Sequence, residues 1–213
     1  MSASPAISPE HLRRVPQQAR SREKLRRVLE AADRLLADEG ASGLTTTRVA
    51  AAARISVGSL YAYLPGKDAI VEALALHYWG EFQQRVDAVA DAHDREPLED
   101  PVDAVLDALA AGFRARPGFR ALWFGGLRTE RIREVTRPGR IAVAATVERM
   151  LAVHRPDSSA ADRGVVARMV VVAGDGLLRE AFRLDPDGDR QLLAEARGML
   201  DAYIGARLGE RAA

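Results

Sequence analysis

Residues 44–70 read LTTTRVAAAARISVGSLYAYLPGKDAI and encode two short helices joined by a tight turn. Thr45 and Ser56 each stand where a side-chain hydroxyl can accept a hydrogen bond from a free backbone N–H at the start of a helix. Leu60 and Leu64 lie one turn apart and continue the apolar face of the first helix across the turn. Pro65 then ends the second helix. This order of caps, apolar stripe and stop predicts a helix-turn-helix.

The outward face of the second short helix is suited to nucleic acid, because it carries small, hydroxyl and phenol side chains and no acidic group. Such a face can approach base edges in a major groove. Lys67 begins the next helix, where its ammonium and the helix N-terminus both favour a phosphate. We therefore predict DNA contacts from Thr45, Thr46, Thr47, Arg48, Ser56, Val57, Gly58, Ser59, Tyr61, Ala62, Tyr63 and Lys67, with base contacts from Thr47, Val57, Ser59 and Ala62.

Residues 58–70, GSLYAYLPGKDAI, resemble the motif G-[ST]-L-Y-x-[HY]-F-x-x-K-[ED]-x-L, which ends the DNA-binding domain of the tetracycline-repressor (TetR) family. Residues 26–40 and 44–46 resemble that family's first helix and the start of its second, so the resemblance covers residues 17–80. Arg54 stands where the family usually has glycine, at a turn that tends to be left-handed, and a Cβ there costs about 1 kcal/mol. Tyr63 and Leu64 replace the more usual histidine and phenylalanine.

The resemblance implies a homodimeric transcriptional regulator whose last two long helices form the dimer. It also implies a repressor that leaves a palindromic DNA operator when a small, mostly apolar effector binds the C-terminal domain. Candidate effector-binding residues form an aromatic and methionine-rich set: Tyr78, Phe82, Phe113, Phe119, Leu122, Trp123, Met150 and Met169. The alternative is that they are plain core. Asp175 joins the candidates because an acid in an apolar stripe needs a partner, either an arginine across a dimer interface or a polar group of the ligand.

The whole chain is predicted to be all-α, with about nine helices and no strand alternation. Residues 1–16 are expected to be a mobile tail, 17–80 a helix-turn-helix DNA-binding domain, and 81–213 an effector-binding and dimerisation domain. The first helix is predicted from Gln17 to Glu39 with Gly40 as its stop. A later helix is predicted from Pro138 to near His154.

Charge and composition reduce the number of functions that the sequence allows. Residues 1–70 carry 11 basic and 7 acidic side chains, so this part has a charge of +4 and the remainder −3. A positively charged N-terminal part beside a negatively charged remainder is typical of a protein whose N-terminal part binds phosphate groups. The 213 residues include no cysteine and only four scattered histidines, so neither a metal site nor a cofactor is expected.

The chain shows no signal peptide and no apolar run long enough to span a membrane, so a cytoplasmic protein is expected. It also lacks a nucleophile elbow, a phosphate-binding loop and a paired metal-ligand motif, which argues against an enzyme. Two alternatives to a ligand-responsive repressor remain open from the sequence. One is an architectural DNA-binding protein without ligand control, and the other is an enzyme built in a helical bundle.

Overall fold

The computed structural model describes residues 19–127 and 129–209, and these residues form nine helices and no strand. The predicted all-α architecture is confirmed, whereas the predicted tail, residues 1–16, lies outside the described residues. The helices are α1 (Ala19–Gly43), α2 (Thr46–Ala52), α3 (Val57–Tyr61), α4 (Lys67–Arg95), α5 (Pro101–Ala115), α6 (Pro117–Phe124), α7 (Glu130–His154), α8 (Ala160–Leu184) and α9 (Arg190–Leu208).

Local sequence signals account for most of these boundaries. α1 is interrupted at Gly40, where φ is 66° and ψ is −159°, and one further turn follows to Gly43. The predicted stop at Gly40 is therefore a break in the helix, at a left-handed conformation that glycine adopts without a steric cost. The predicted start at Gln17 lies outside the described residues. Ser159 caps α8 by accepting a hydrogen bond from the amide of Asp162 at 3.1 Å.

The predicted start of α7 at Pro138 is wrong. The helix begins at Glu130, and Pro138 lies inside it. The hydroxyl of Thr129 accepts a hydrogen bond from the amide of Ile132 at 3.3 Å and caps the true start. Proline is favoured in the first turn of a helix, but a helix interior can also contain it at the cost of one backbone hydrogen bond.

The chain divides into two compact units. The first contains the described residues up to Glu81 together with Arg116–Arg137, and the second contains Phe82–Ala115 together with the chain from Pro138 onward. The sequence instead predicted one boundary between residues 80 and 81. The difference arises because α6 packs closely on α1 in the first unit. A Cβ on Gly118 of α6 would lie 2.0 Å from Oδ1 of Asp33 in α1.

A partly buried polar cluster joins α1 and α4 of the first unit to Arg116, the residue before α6. The Tyr78 hydroxyl of α4 donates to the carboxylate of Asp33 in α1. Arg116, the residue before α6, forms a two-pronged ion pair with Glu81 and lies 3.5 Å from Asp33. Burial raises the pKa of Tyr78, and the adjacent charge of Asp33 raises it further. Burial lowers the pKa of His77, although the carboxylate of Glu81, 3.5 Å away, opposes that shift.

The second unit has its own core, in which α8 packs on α9 and α5. The ring of Phe113 stacks on Phe182 with centroids 4.8 Å apart, and it lies 5.6 Å from the ring of Phe82. Gly174 lies against Leu200, because a Cβ there would be 3.7 Å from that side chain. Within the described ranges of both units, no helix has the length and apolar character needed to cross a membrane.

Candidate nucleic-acid interface

The two short helices of the first unit begin at the predicted caps. The Thr45 hydroxyl accepts a hydrogen bond from the amide of Arg48 at 3.3 Å, and the Ser56 hydroxyl accepts one from the amide of Ser59 at 3.1 Å. Each bond satisfies one of the backbone donors that a helix start leaves without a partner. Leu60 of α3 is fully buried. These contacts fix α3, a helix of only five residues, with its opposite side facing outward.

The turn between α2 and α3 adopts the predicted left-handed conformation. Arg54 has a φ of 55°, the one positive φ of a non-glycine residue in the described part of the chain. The Nε of Arg27 in α1 donates to the carbonyl of Ala53 at 3.1 Å, and its Nη2 donates to the carbonyl of Arg54 at 3.0 Å. Arg27 therefore holds two carbonyl groups of the turn and attaches it to α1.

All twelve predicted DNA-contacting residues lie in the first unit, and none of them is buried. Val57 and Tyr61 are unusually accessible for apolar and aromatic side chains, with 38% and 43% of their surface exposed. Thr46, Ser59, Tyr63 and Lys67 are half-buried. The remaining members of the predicted set are exposed: Thr45, Thr47, Arg48, Ser56, Gly58 and Ala62.

Three of the predicted DNA-contacting side chains already contact α1. Arg48 forms a two-pronged ion pair with Glu39. The Lys67 ammonium donates to the carbonyl of Ala41, and the Tyr63 hydroxyl donates to that of Ser21 at 3.3 Å. Sequence reasoning missed these partners because they lie 9 to 42 residues away along the chain, beyond any helical spacing.

Comparisons with known proteins agree with this geometry. Residues 28–74 match the family profile described as bacterial regulatory proteins, tetR family, and residues 96–208 match the one described as tetracyclin repressor-like, C-terminal domain. The second match alone covers more than half of the chain. The chain belongs to the TetR family. It is a DNA-binding transcriptional regulator, and α2 and α3 are its helix-turn-helix.

Solved TetR-family structures share this fold. A TetR-family transcriptional regulator from Streptomyces coelicolor is 30% identical over 87% of this chain and 99% of that chain, with a TM-score of 0.65. The multidrug binding protein EbrR, solved in complex with imidazole, is 24% identical over 84% of this chain and 93% of that chain, with a TM-score of 0.62. SmeT, the repressor of the Stenotrophomonas maltophilia multidrug efflux pump SmeDEF, is 18% identical over 89% of this chain and 90% of that chain, with a TM-score of 0.58. No curated protein sequence is significantly similar to this one.

Four of the candidate effector-binding residues of this TetR protein lie together in the first unit. Tyr78, Phe119, Leu122 and Trp123 are all buried there. The rings of Tyr78 and Phe119 meet edge to face at 5.3 Å, and Phe119 stacks on Trp123 at 4.7 Å. Trp79, which the sequence reasoning did not select, lies 6.5 Å from Trp123. The first unit thus holds a continuous aromatic cluster.

The other candidates belong to the second unit and do not share one environment. Phe82 and Phe113 contact each other, and Met150 is buried, whereas Met169 of α8 is 50% exposed. Asp175 forms an ion pair at 3.1 Å with Arg179, one turn further along α8. The two partners considered from the sequence, an arginine across an interface and a ligand group, did not include this intrahelical one. Among the described residues, no cluster of three or more potential metal ligands occurs.

Proposed function

We propose that this TetR protein is a homodimeric, ligand-responsive repressor that binds a palindromic operator through its two helix-turn-helix heads. The observation that carries the proposal is the outward face of α3, where Val57 and Tyr61 stay exposed while Leu60 anchors the helix. Exposed side chains on a short, firmly seated helix can reach base edges in a major groove. Base contacts are proposed for Thr47, Val57, Ser59 and Ala62, and a phosphate contact for Lys67.

Dimerisation is proposed through α8 and α9, because both helices carry exposed apolar side chains. On α8, Val165, Met169 and Val172 recur at a spacing of four and three residues and are 41%, 50% and 62% exposed. Met199 and Ala202 are exposed on α9. Exposed apolar side chains that recur on one face of a helix are typical of a protein interface rather than of a solvated surface.

The dimer proposal is tested by placing a charge in this face. Met169→Glu is expected to give monomers in analytical ultracentrifugation, because a carboxylate would be buried without a partner. Ile141→Glu is the matched control, since Ile141 is 58% exposed on a different helix, α7. A dimer that survives Met169→Glu would place the interface elsewhere.

The effector is proposed to be a small, mostly apolar molecule that binds at the aromatic cluster of the first unit. Tyr78, Phe119 and Trp123 offer ring faces and edges there, and EbrR and SmeT are named as a multidrug binding protein and a multidrug efflux repressor. An effector releases DNA only if it binds the two conformations of the repressor unequally. The chain has two tryptophans, Trp79 and Trp123, so tryptophan emission reports on this cluster alone.

The decisive experiment combines operator selection with an effector screen. Purified protein should select a palindrome from random duplexes, and apolar compounds that quench its tryptophan emission should also release the selected operator. Trp123→Phe should weaken both effects for the same compounds while operator binding stays intact.

The same screen distinguishes the second candidate function. If compounds quench the emission and the operator stays bound at saturation, the protein is an architectural DNA-binding protein without ligand control. Binding to no duplex at all would contradict both functions.

A further inference from the structure

An acidic side chain of α1 holds the one arginine predicted to contact DNA. The Nη1 and Nη2 atoms of Arg48 donate to the two carboxylate oxygens of Glu39. The two side chains are 46% and 42% exposed, so the pair lies on the surface. The hydrogen bonds from Arg48 lower the pKa of Glu39. At neutral pH the carboxylate is therefore charged and occupies one edge of the guanidinium.

A guanidinium can bind a phosphate with two parallel hydrogen bonds from the same pair of nitrogen atoms. We propose that Glu39 is an internal competitor for the DNA backbone. Its carboxylate takes the hydrogen bonds that Arg48 would otherwise donate to a phosphate, and this lowers affinity for DNA of every sequence. The inference rests on the proposed DNA contact of the helix-turn-helix and adds a residue outside it that sets the strength of backbone binding.

The neighbouring contact of Lys67 shows why Glu39 is the competitor. Lys67 donates to the carbonyl of Ala41, only two residues beyond Glu39. A neutral carbonyl takes one of the three hydrogens of an ammonium and leaves its charge uncompensated. Glu39 instead neutralises the charge of Arg48 and uses two of its donors. The end of α1 therefore contacts both Arg48 and Lys67. Only the charge of Arg48 is neutralised, so only Arg48 is less available to a phosphate.

The expected effect of Glu39 is on affinity for all DNA and not on discrimination between sequences. Phosphate contacts fix the position of a protein on DNA and carry no sequence information. Each additional neutralised phosphate steepens the dependence of log affinity on log salt by about 0.9. Releasing Arg48 should therefore add about that amount to the slope for each protomer.

The test is a salt titration of the full-length protein with a random-sequence duplex, measured by fluorescence anisotropy. Glu39→Gln should bind more tightly at low salt, and between about 50 and 200 mM salt it should lose an extra factor of about 3.5 per protomer. Asp38→Asn is the matched control, because Asp38 is the adjacent exposed acid of α1 and its loss changes the net charge equally. In an Arg48→Gln background, Glu39→Gln should have no more effect than Asp38→Asn.

Two outcomes would overturn the inference alone. One is an equal effect of Glu39→Gln and Asp38→Asn, and the other is an undiminished effect of Glu39→Gln when Arg48 is absent. A wild-type protein that binds no duplex would instead overturn the DNA contact itself, and the inference with it. Thermal melting of each variant checks folding, and the isosteric Glu39→Gln is paired with Glu39→Ala so that one misfolded variant does not decide the result.

Discussion

Replacing Arg54 with glycine should stabilise the protein. Arg54 has a φ of 55° and an exposed side chain, and its amide donates to the carbonyl of Ala51 at 3.0 Å. A Cβ in the left-handed region costs about 1–2 kcal/mol, whereas glycine adds an entropic cost of roughly 0.5–1 kcal/mol. At the midpoints of these two ranges the net gain is about 0.75 kcal/mol, which raises the Tm of a chain of this length by roughly 1.5–3 °C.

Calorimetry of Arg54→Gly beside Arg54→Ala measures this effect. Arg54→Ala removes the same charge but keeps the Cβ, so its Tm should stay close to that of the wild type. The backbone carbonyl that Arg27 binds is present in all three proteins. A glycine variant that melts no higher than the alanine variant would show that the left-handed turn is not strained.

Three further changes test contacts in the first unit. Arg27→Met should lower the free energy of unfolding, measured by denaturant titration, by roughly 1.5–3 kcal/mol and weaken DNA binding, because charged hydrogen bonds to the turn are lost. The control Arg26→Met, which breaks only exposed ion pairs, should change the free energy of unfolding little. Gly118→Ala should lower the free energy of unfolding by about 1–3 kcal/mol, because its Cβ overlaps α1. The control Gly58→Ala should leave the free energy of unfolding unchanged, because no atom lies within 4 Å of its added Cβ. Burial lowers the pKa of His77, so its neutral form contributes fully to the free energy of unfolding above the unfolded pKa of about 6.5, and this contribution falls at lower pH. A His77→Gln variant whose free energy of unfolding falls equally steeply with pH would contradict this.

The local signals of the sequence predicted the helix-turn-helix well. A hydroxyl at a helix start acts on an amide three residues away, so Thr45 and Ser56 were identified as caps from the order of residues alone. The left-handed turn at Arg54 followed from the resemblance to a family that has glycine there. Pro138 was misjudged because proline suits a first turn and also occurs inside α7.

The contacts that restrain the DNA-facing residues were not predictable in this way. Arg27 meets the turn from 26 residues away, and Glu39 reaches Arg48 across the break at Gly40. Such pairs depend on how helices pack, and a charged residue on a helix surface has the same sequence pattern whether it is paired or solvated. The ion pair between Asp175 and Arg179 could have been predicted from the sequence, because the two residues are one helical turn apart.

The inclusion of α6 in the first unit has a consequence for the engineering of hybrid regulators. A transplanted head cut after Glu81 would leave behind Gly118, Phe119 and Leu122, which are buried in that unit. The donor's α1 and α4 would then meet the foreign host's α6, whose shape is not matched to them. A functional graft of this head must therefore carry two separate pieces of the gene, the second encoding Arg116–Arg137.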